Sequence, residues 1–188
     1  MHDAPPSTGG AILRRTTRRH RVRLVGSSAL FCVHQFCETM VPVAIGLIIG
    51  QAVETGDVTA MIVSLVGLAG LFVVLSYAYR IGARIIIVAI EREAHLLRVE
   101  VAGRVLDPRG VRVDLGPGEL LTVSTSDAEK TSWALDAIAR VAAAVTALVV
   151  TAVALIVIDV PLGLAVVIGT PVLLLLLQLC APFLTRAA

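Results

Sequence analysis

Four long apolar runs divide this chain, at residues 24–53, 58–80, 141–158 and 160–185. Short acidic connectors carrying only Glu54, Asp57 and Asp159 separate the first run from the second and the third from the fourth. A helix needs roughly 20 apolar residues, at about 1.5 Å of rise each, to cross about 30 Å of hydrocarbon, so the runs predict four membrane-spanning helices. The third run is the shortest, but its helical pattern starts well before Val141. Glu54-Thr55-Gly56-Asp57 and Ile158-Asp159-Val160-Pro161 predict tight turns, and Pro161 suits the first turn of the fourth helix. Pro42 predicts a kink in the first span, and Pro171 and Pro182 predict kinks or local unwinding in the fourth.

The second helix has no evident end at Tyr79. Helix formers continue to Leu106 with apolar residues at Ala94, Leu97, Val101 and Val105, and Asp107-Pro108 then stops the pattern. Roughly 48 residues at about 1.5 Å each give on the order of 70 Å, so about half of this helix projects beyond the hydrocarbon. Gly116-Pro117-Gly118-Glu119 reads as a helix start, with Pro117 in the first turn and Glu119 favoured by the helix dipole, and no breaker follows before Ile158. Residues 81–140 therefore read as two stalks joined by a connection at 107–115, too short for a soluble catalytic domain. Residues 1–23 divide into a Pro, Ser and Gly rich tail and a basic amphipathic segment at 11–23, an elbow lying on the headgroups before the membrane unit at 24–188.

Composition fixes the solvent. With 57% hydrophobic residues and a mean hydropathy of +0.90, the chain is too apolar for a soluble domain of 188 residues. Its sixteen cationic residues fall in three blocks, at 14–23, at 80–140 and at Arg186, all on the same side of the apolar runs. Because Lys and Arg are retained inside during insertion, both termini and the middle segment are expected in the cytoplasm. The net charge of +2 adds little. The basic N-terminal block abuts a hydrophobic span without interleaved aromatics, which points to inside retention and lipid headgroup contact and away from nucleic acid. A cleavable signal peptide fits poorly, since the first apolar core is about twice the length of a signal core and contains Glu38 and Pro42. Cys32, Cys37 and Cys180 lie in apolar runs, where thiols act as small hydrophobes, so neither a disulfide nor a metal site is implied. Fifteen Arg against one Lys, with no Asn, suggest a GC-rich bacterial genome and hence a bacterial plasma membrane.

Candidate chemistry is sparse. His34, Gln35 and Glu38 stand together near the middle of the first span, with His34 and Glu38 on one helix face. Ionisable groups in hydrocarbon are costly, so this face is expected to meet the bundle or a wet cavity, either as a pathway or proton-linked patch or as a pair that locks helix packing. Gln178 in the fourth span and Ser76 in the second are weaker candidates of the same kind. Gly46 and Gly50 form a small-xxx-small pair suited to close helix approach, and Trp133 reads as a packing residue between the stalks or a marker of the inner interface. Glu91, Arg92 and Glu93, with His95 nearby, read as a solvated stalk face.

Two membrane helices prolonged into the cytoplasm, with the second stalk opening Gly118-Glu119-Leu120-Leu121 and then Ser126-Asp127, resemble the type 1 transmembrane domain of ABC exporters. In that family the third helix commonly opens Gly-Glu/Asp-Leu-Leu with a Ser/Asn-Asp pair a few residues on. With the basic elbow, four spans and short outer turns, the resemblance covers nearly the whole chain. It implies that Asp107, Pro108, Arg109, Gly110, Val111, Arg112, Val113 and Asp114 form a coupling segment pressed on a nucleotide-binding domain. The aromatic residues common there in the family are absent, so the docking is expected to be more ionic. The resemblance also implies a second transmembrane half, as a homodimer or heterodimer. The family has six spans per half and an ATPase domain, whereas this sequence has four spans and no G-x-x-x-x-G-K-[ST] loop, which reads as a partial domain, either a fragment of a longer permease or the product of a truncated gene. The chain is then no enzyme on its own and holds no cofactor; ATP and Mg2+ belong to the complete transporter. A membrane scaffold or sensor whose stalks bind a cytoplasmic partner, and a small ion-coupled carrier centred on His34 and Glu38, are the alternatives.

Overall fold

The computed structural model describes residues 9–50, 56–107 and 116–186. Every regular element among them is helical: α1 (Gly9–Arg19), α2 (Arg21–Ile48), α3 (Val58–Val105), α4 (Pro117–Thr122), α5 (Ala128–Ile158) and α6 (Val160–Arg186), with a π-helical turn at Val123–Asp127 leading into α5. α2, α3, the α5 segment and α6 are each long and apolar enough to cross a membrane, so the all-α architecture with four spans holds. Residues 1–8 of the tail, most of the first connector and residues 108–115, which include the expected coupling residues Pro108 to Asp114, lie outside the described residues.

α2 starts three residues before the apolar run, at Arg21, and is regular to Ile48; residues 51–53 of the predicted span lie outside the described residues. Its end widens into a π turn at Ile49 and Gly50, where glycine gives little support to a regular helix. Gly56 holds a φ of +67°, a backbone that a side chain would strain, and Asp57 then caps α3, its Oδ1 accepting the Thr59 N–H at 2.8 Å. α3 runs for 48 residues, about 72 Å, to the predicted stop at Leu106 and Asp107.

The inward face of α3 is Ala78, Gly82, Ile86, Ala89, Ile90, Glu93 and Ala94, mostly small residues three or four apart. Small residues at these positions let the helix backbones approach closely. A Cβ at Gly82 would sit 3.2 Å from Leu30 Cβ and from the Phe31 ring, so this glycine sets the α2–α3 spacing. Leu24 and Phe31 of α2 and Leu135, Ala139 and Ala143 of α5 complete one core with Ile86, Ala89 and Ile90. Towards the other end of the bundle Leu47, Ile62, Val66, Val153 and Val157 are exposed, as suits helices whose solvent is hydrocarbon.

The return path departs from the uninterrupted helix predicted from Gly116. The start is as expected: Pro117 opens the first turn and Glu119 Oε2 accepts the Gly116 N–H at 3.0 Å, half of a capping box. The helix then widens at Val123–Asp127. Thr122 turns its hydroxyl back onto the Gly118 carbonyl at 3.1 Å, and Ser124, Thr125 and Ser126 follow, a run of hydroxyls that competes with the backbone ladder.

Asp159 alone breaks α5 from α6, in an extended conformation (φ −156°, ψ 116°). Its carbonyl accepts the Gly163 N–H at 3.1 Å and starts α6. α6 is continuous through Pro171 and Pro182, as α2 is through Pro42, because a helix in a bundle survives the loss of one ladder bond. α6 packs on α5, and its leucines at 173–177 are exposed.

Candidate functional site

His34 of the polar face of α2 is turned to α3, whereas Glu38 is largely exposed. His34 Nδ1 lies 2.9 Å from the Leu75 carbonyl of α3. A carbonyl only accepts, so Nδ1 carries the proton and Nε2 is left facing Glu38 Oε2 at 3.8 Å. A neutral His34 therefore offers Glu38 no hydrogen, and a proton added at Nε2 turns the contact into an ion pair. Glu38 instead accepts from Gln35 Nε2 at 2.9 Å, and its side chain is 57% exposed. Pro42 has no N–H to give the carbonyl four residues back, which is that of Glu38, so a second acceptor is freed at the same place.

His34 and Gln35 line a cavity of about 600 Å³ bounded by Phe31, Tyr79, Arg140 and the alanines at 143, 144 and 147. Tyr79 packs against both Phe31 and His34, with ring centroids 5.9 and 5.1 Å apart. The Arg140 guanidinium stands 5.9 Å over the Phe31 ring and pairs with Asp136 at 2.5 Å. Glu38, Thr39 and Pro42 line a second cavity of about 560 Å³, whose walls of Val43, Leu47, Ala154, Leu155 and Ile158 are apolar. Thr151 of α5 borders both, so the two form successive parts of one groove between α2 and α5, walled in its first part also by Tyr79 of α3 and by Val166 and Thr170 of α6. Such a groove can take an amphiphile, with polar groups at Arg140, His34, Gln35 and Glu38 and apolar bulk against α5.

The other sequence candidates are scattered. Gln178 is exposed on α6 and borders neither cavity, and Ser76 is half-buried on α3. Among the described residues nothing lies within 4 Å of a Cβ built at Gly46 or Gly50, so no described helix closes up on these glycines. Trp133 is 43% exposed while Ser132, Leu135 and Asp136 face inward, so it is not a wedge between α3 and α5. Gly118 and Glu119 open α4, with Leu120 and Leu121 following in it, and Ser126 and Asp127 fall in the π turn. Asp107 ends the described part of the α3 extension. Among the described residues no group of three or more His, Cys, Asp or Glu could hold a metal, and the cysteines are free thiols.

Glu93 is not on a solvated face: its side chain is fully buried, at the end of the inward stripe of α3. It accepts the Thr16 hydroxyl at 2.9 Å, Arg19 Nη1 at 3.2 Å and His20 Nε2 at 2.9 Å. One turn of the N-terminal segment thus delivers three donors to one carboxylate, since residues 16, 19 and 20 share a helix face. Two signals pointed there: Glu93 continues the spacing of Gly82, Ile86 and Ala89, and Thr16, Arg19 and His20 repeat at three and four. Arg15 adds a second strap, reaching Glu100 at 2.7 Å. The Arg15 hydrogen bond, with help from Arg104, holds the Glu100 carboxyl below the usual carboxylate range despite partial burial. A lowered folded-state pKa stabilises above the ordinary glutamate value and is lost as pH falls through the lowered one, so this strap is complete at neutral pH. Being partly exposed, it contributes less than about 1 kcal/mol.

Fold and site together define a multi-pass helical membrane protein. No protein-family model matches the chain, and neither the curated proteins nor the solved structures contain a significant match to it.

Proposed function

We propose that this chain is the permease portion of an ATP-driven exporter of the ABC type, in a bacterial plasma membrane with both termini cytoplasmic. The observation that carries the reading is the length of α3, about 72 Å, together with the packing of α5 beside it. Two helices that outrun the hydrocarbon and end at a short connector are what transmits motion between a membrane pathway and a soluble motor. The coupling segment at 107–114 docks on a nucleotide-binding domain that binds ATP and Mg2+, and a second transmembrane half covers the face that α6 leaves open. The α2–α5 groove is the part of the translocation pathway contributed here. On this reading the chain supplies pathway and coupling, and hydrolysis takes place in the nucleotide-binding domain.

Glu38→Gln tests the pathway assignment. Gln keeps the volume and accepts from Gln35, and Glu38 is half exposed, so folded yield should stay near normal. Transport, or substrate-stimulated ATPase activity of the assembled transporter, should fall by about tenfold, the scale of one lost charge-assisted hydrogen bond. Unchanged transport with unchanged assembly removes Glu38 from the pathway. A second reading, a small ion-coupled carrier, draws on the proton-dependent contact between His34 Nε2 and Glu38. It differs in predicting transport that follows a proton gradient in vesicles without ATP.

A further inference from the structure

The polar side chains of α1 and of its junction with α2 are divided between two faces. Arg15, Thr16, Arg19 and His20 are taken up by Glu100 and Glu93 of α3. Arg14, Arg18 and Arg21, spaced four and three apart on another face, have no carboxylate partner among the described residues, and all are exposed. They line a groove of about 450 Å³ between α1 and α5 with Thr17 and with the apolar side chains Leu13 and Ile138. Arg21 stands three residues before Leu24, where the apolar run of α2 begins, and Ile138 three before Val141, where that of α5 begins. The groove therefore opens where two spans leave the hydrocarbon.

We infer that this groove is a binding site for the headgroup of an anionic phospholipid. Three guanidiniums offer forked N–H donors matched to phosphate oxygens, and no carboxylate among the described residues competes for them. Leu13 and Ile138 supply an apolar edge along which the first methylenes of an acyl chain can lie. The level of the groove selects a lipid over a soluble anion, because headgroup phosphates are concentrated there and juxtamembrane arginines are attracted to them. Glu93 and Glu100 fix α1 from behind, so the three arginines are presented as a set. The inference needs only the membrane setting and is independent of the transport reading.

Native mass spectrometry of the purified full chain in detergent tests it, with phosphatidylglycerol as probe and phosphatidylcholine as comparison. The wild type should retain phosphatidylglycerol and not phosphatidylcholine. Retention should weaken by about tenfold or more in Arg14→Gln/Arg18→Gln/Arg21→Gln, survive largely in the corresponding triple Lys variant, and be unchanged in Arg92→Gln/Arg98→Gln, which removes exposed α3 charges. Arg18→Gln alone, removing the middle guanidinium, should give an intermediate loss and serves if the triple variant does not fold. Equal retention of phosphatidylcholine, no loss in the Arg18 variant, or an equal loss in the α3 variant overturns the site. Displacement of the lipid by millimolar inorganic phosphate overturns the lipid assignment in favour of a free phosphate pocket.

Discussion

Replacing Glu93 with alanine should release α1 from α3 and lower the stability of the detergent-solubilised protein by about 2–6 kcal/mol, the scale of leaving two buried donors without an acceptor. The effect comes mainly from what is left behind. Thr16 and His20 are buried, and without the carboxylate their hydroxyl and ring N–H lose the acceptor they turn to. Arg19 is 38% exposed and can turn to water, so its pairing counts for less. The His20 Nδ1 already lacks a partner, which leaves the ring no second anchor. Glu93→Gln keeps one oxygen for Thr16 and should cost about 1–3 kcal/mol, less than the alanine change. Thermal unfolding reads the loss, and trypsin cleavage at Arg18 and Arg19 reads the release. A Glu93→Ala protein that melts and resists trypsin like the wild type would mean that the cluster does not form.

Gly163→Ala should separate α6 from α5 at their turn. A Cβ there would lie 2.8 Å from the Ile156 backbone nitrogen and 2.9 Å from its Cα, so backbone must move rather than a side-chain tip. Overpacking of this kind costs about 1–3 kcal/mol. Because α6 packs mainly on α5, the strain is relieved by swinging α6 away, not by repacking a core. A disulfide formed between cysteines placed at Val153 and Val166, on the two arms of the turn, reports their approach. It should form less readily in the Gly163→Ala variant than in the wild-type background, and equal formation in both would refute the close turn.

Helices and their order were legible because hydropathy in lipid is a strong signal. Asp57, Asp107, Pro117 and Asp159 mark element ends in the sequence, and each lies at an end in the fold. The π turn at Val123–Asp127 was not legible, since no breaker residue stands there and the cause is a run of hydroxyls whose rotamers decide it. The His34, Gln35 and Glu38 patch could be seen because charge inside an apolar run is conspicuous. Glu93 was hidden for the opposite reason: among Glu91, Arg92 and His95 a carboxylate looks solvated. Only its register with Gly82 and Ile86, and a partner segment more than seventy residues away, bury it. Gly163 had no signal at all, because its requirement comes from the packing of a turn.

The proposed drive of the permease through α3 and α5 is decided at the connector. A single cysteine at Val111, in the assembled complex in native membranes, should cross-link to a nucleotide-binding domain, and the cross-linked complex should lose ATP-driven transport until the bond is reduced. No cross-link to an ATPase from any position between Arg109 and Asp114, with the chain folded and assembled, would contradict the account and leave the stalks as the docking arms of a membrane scaffold.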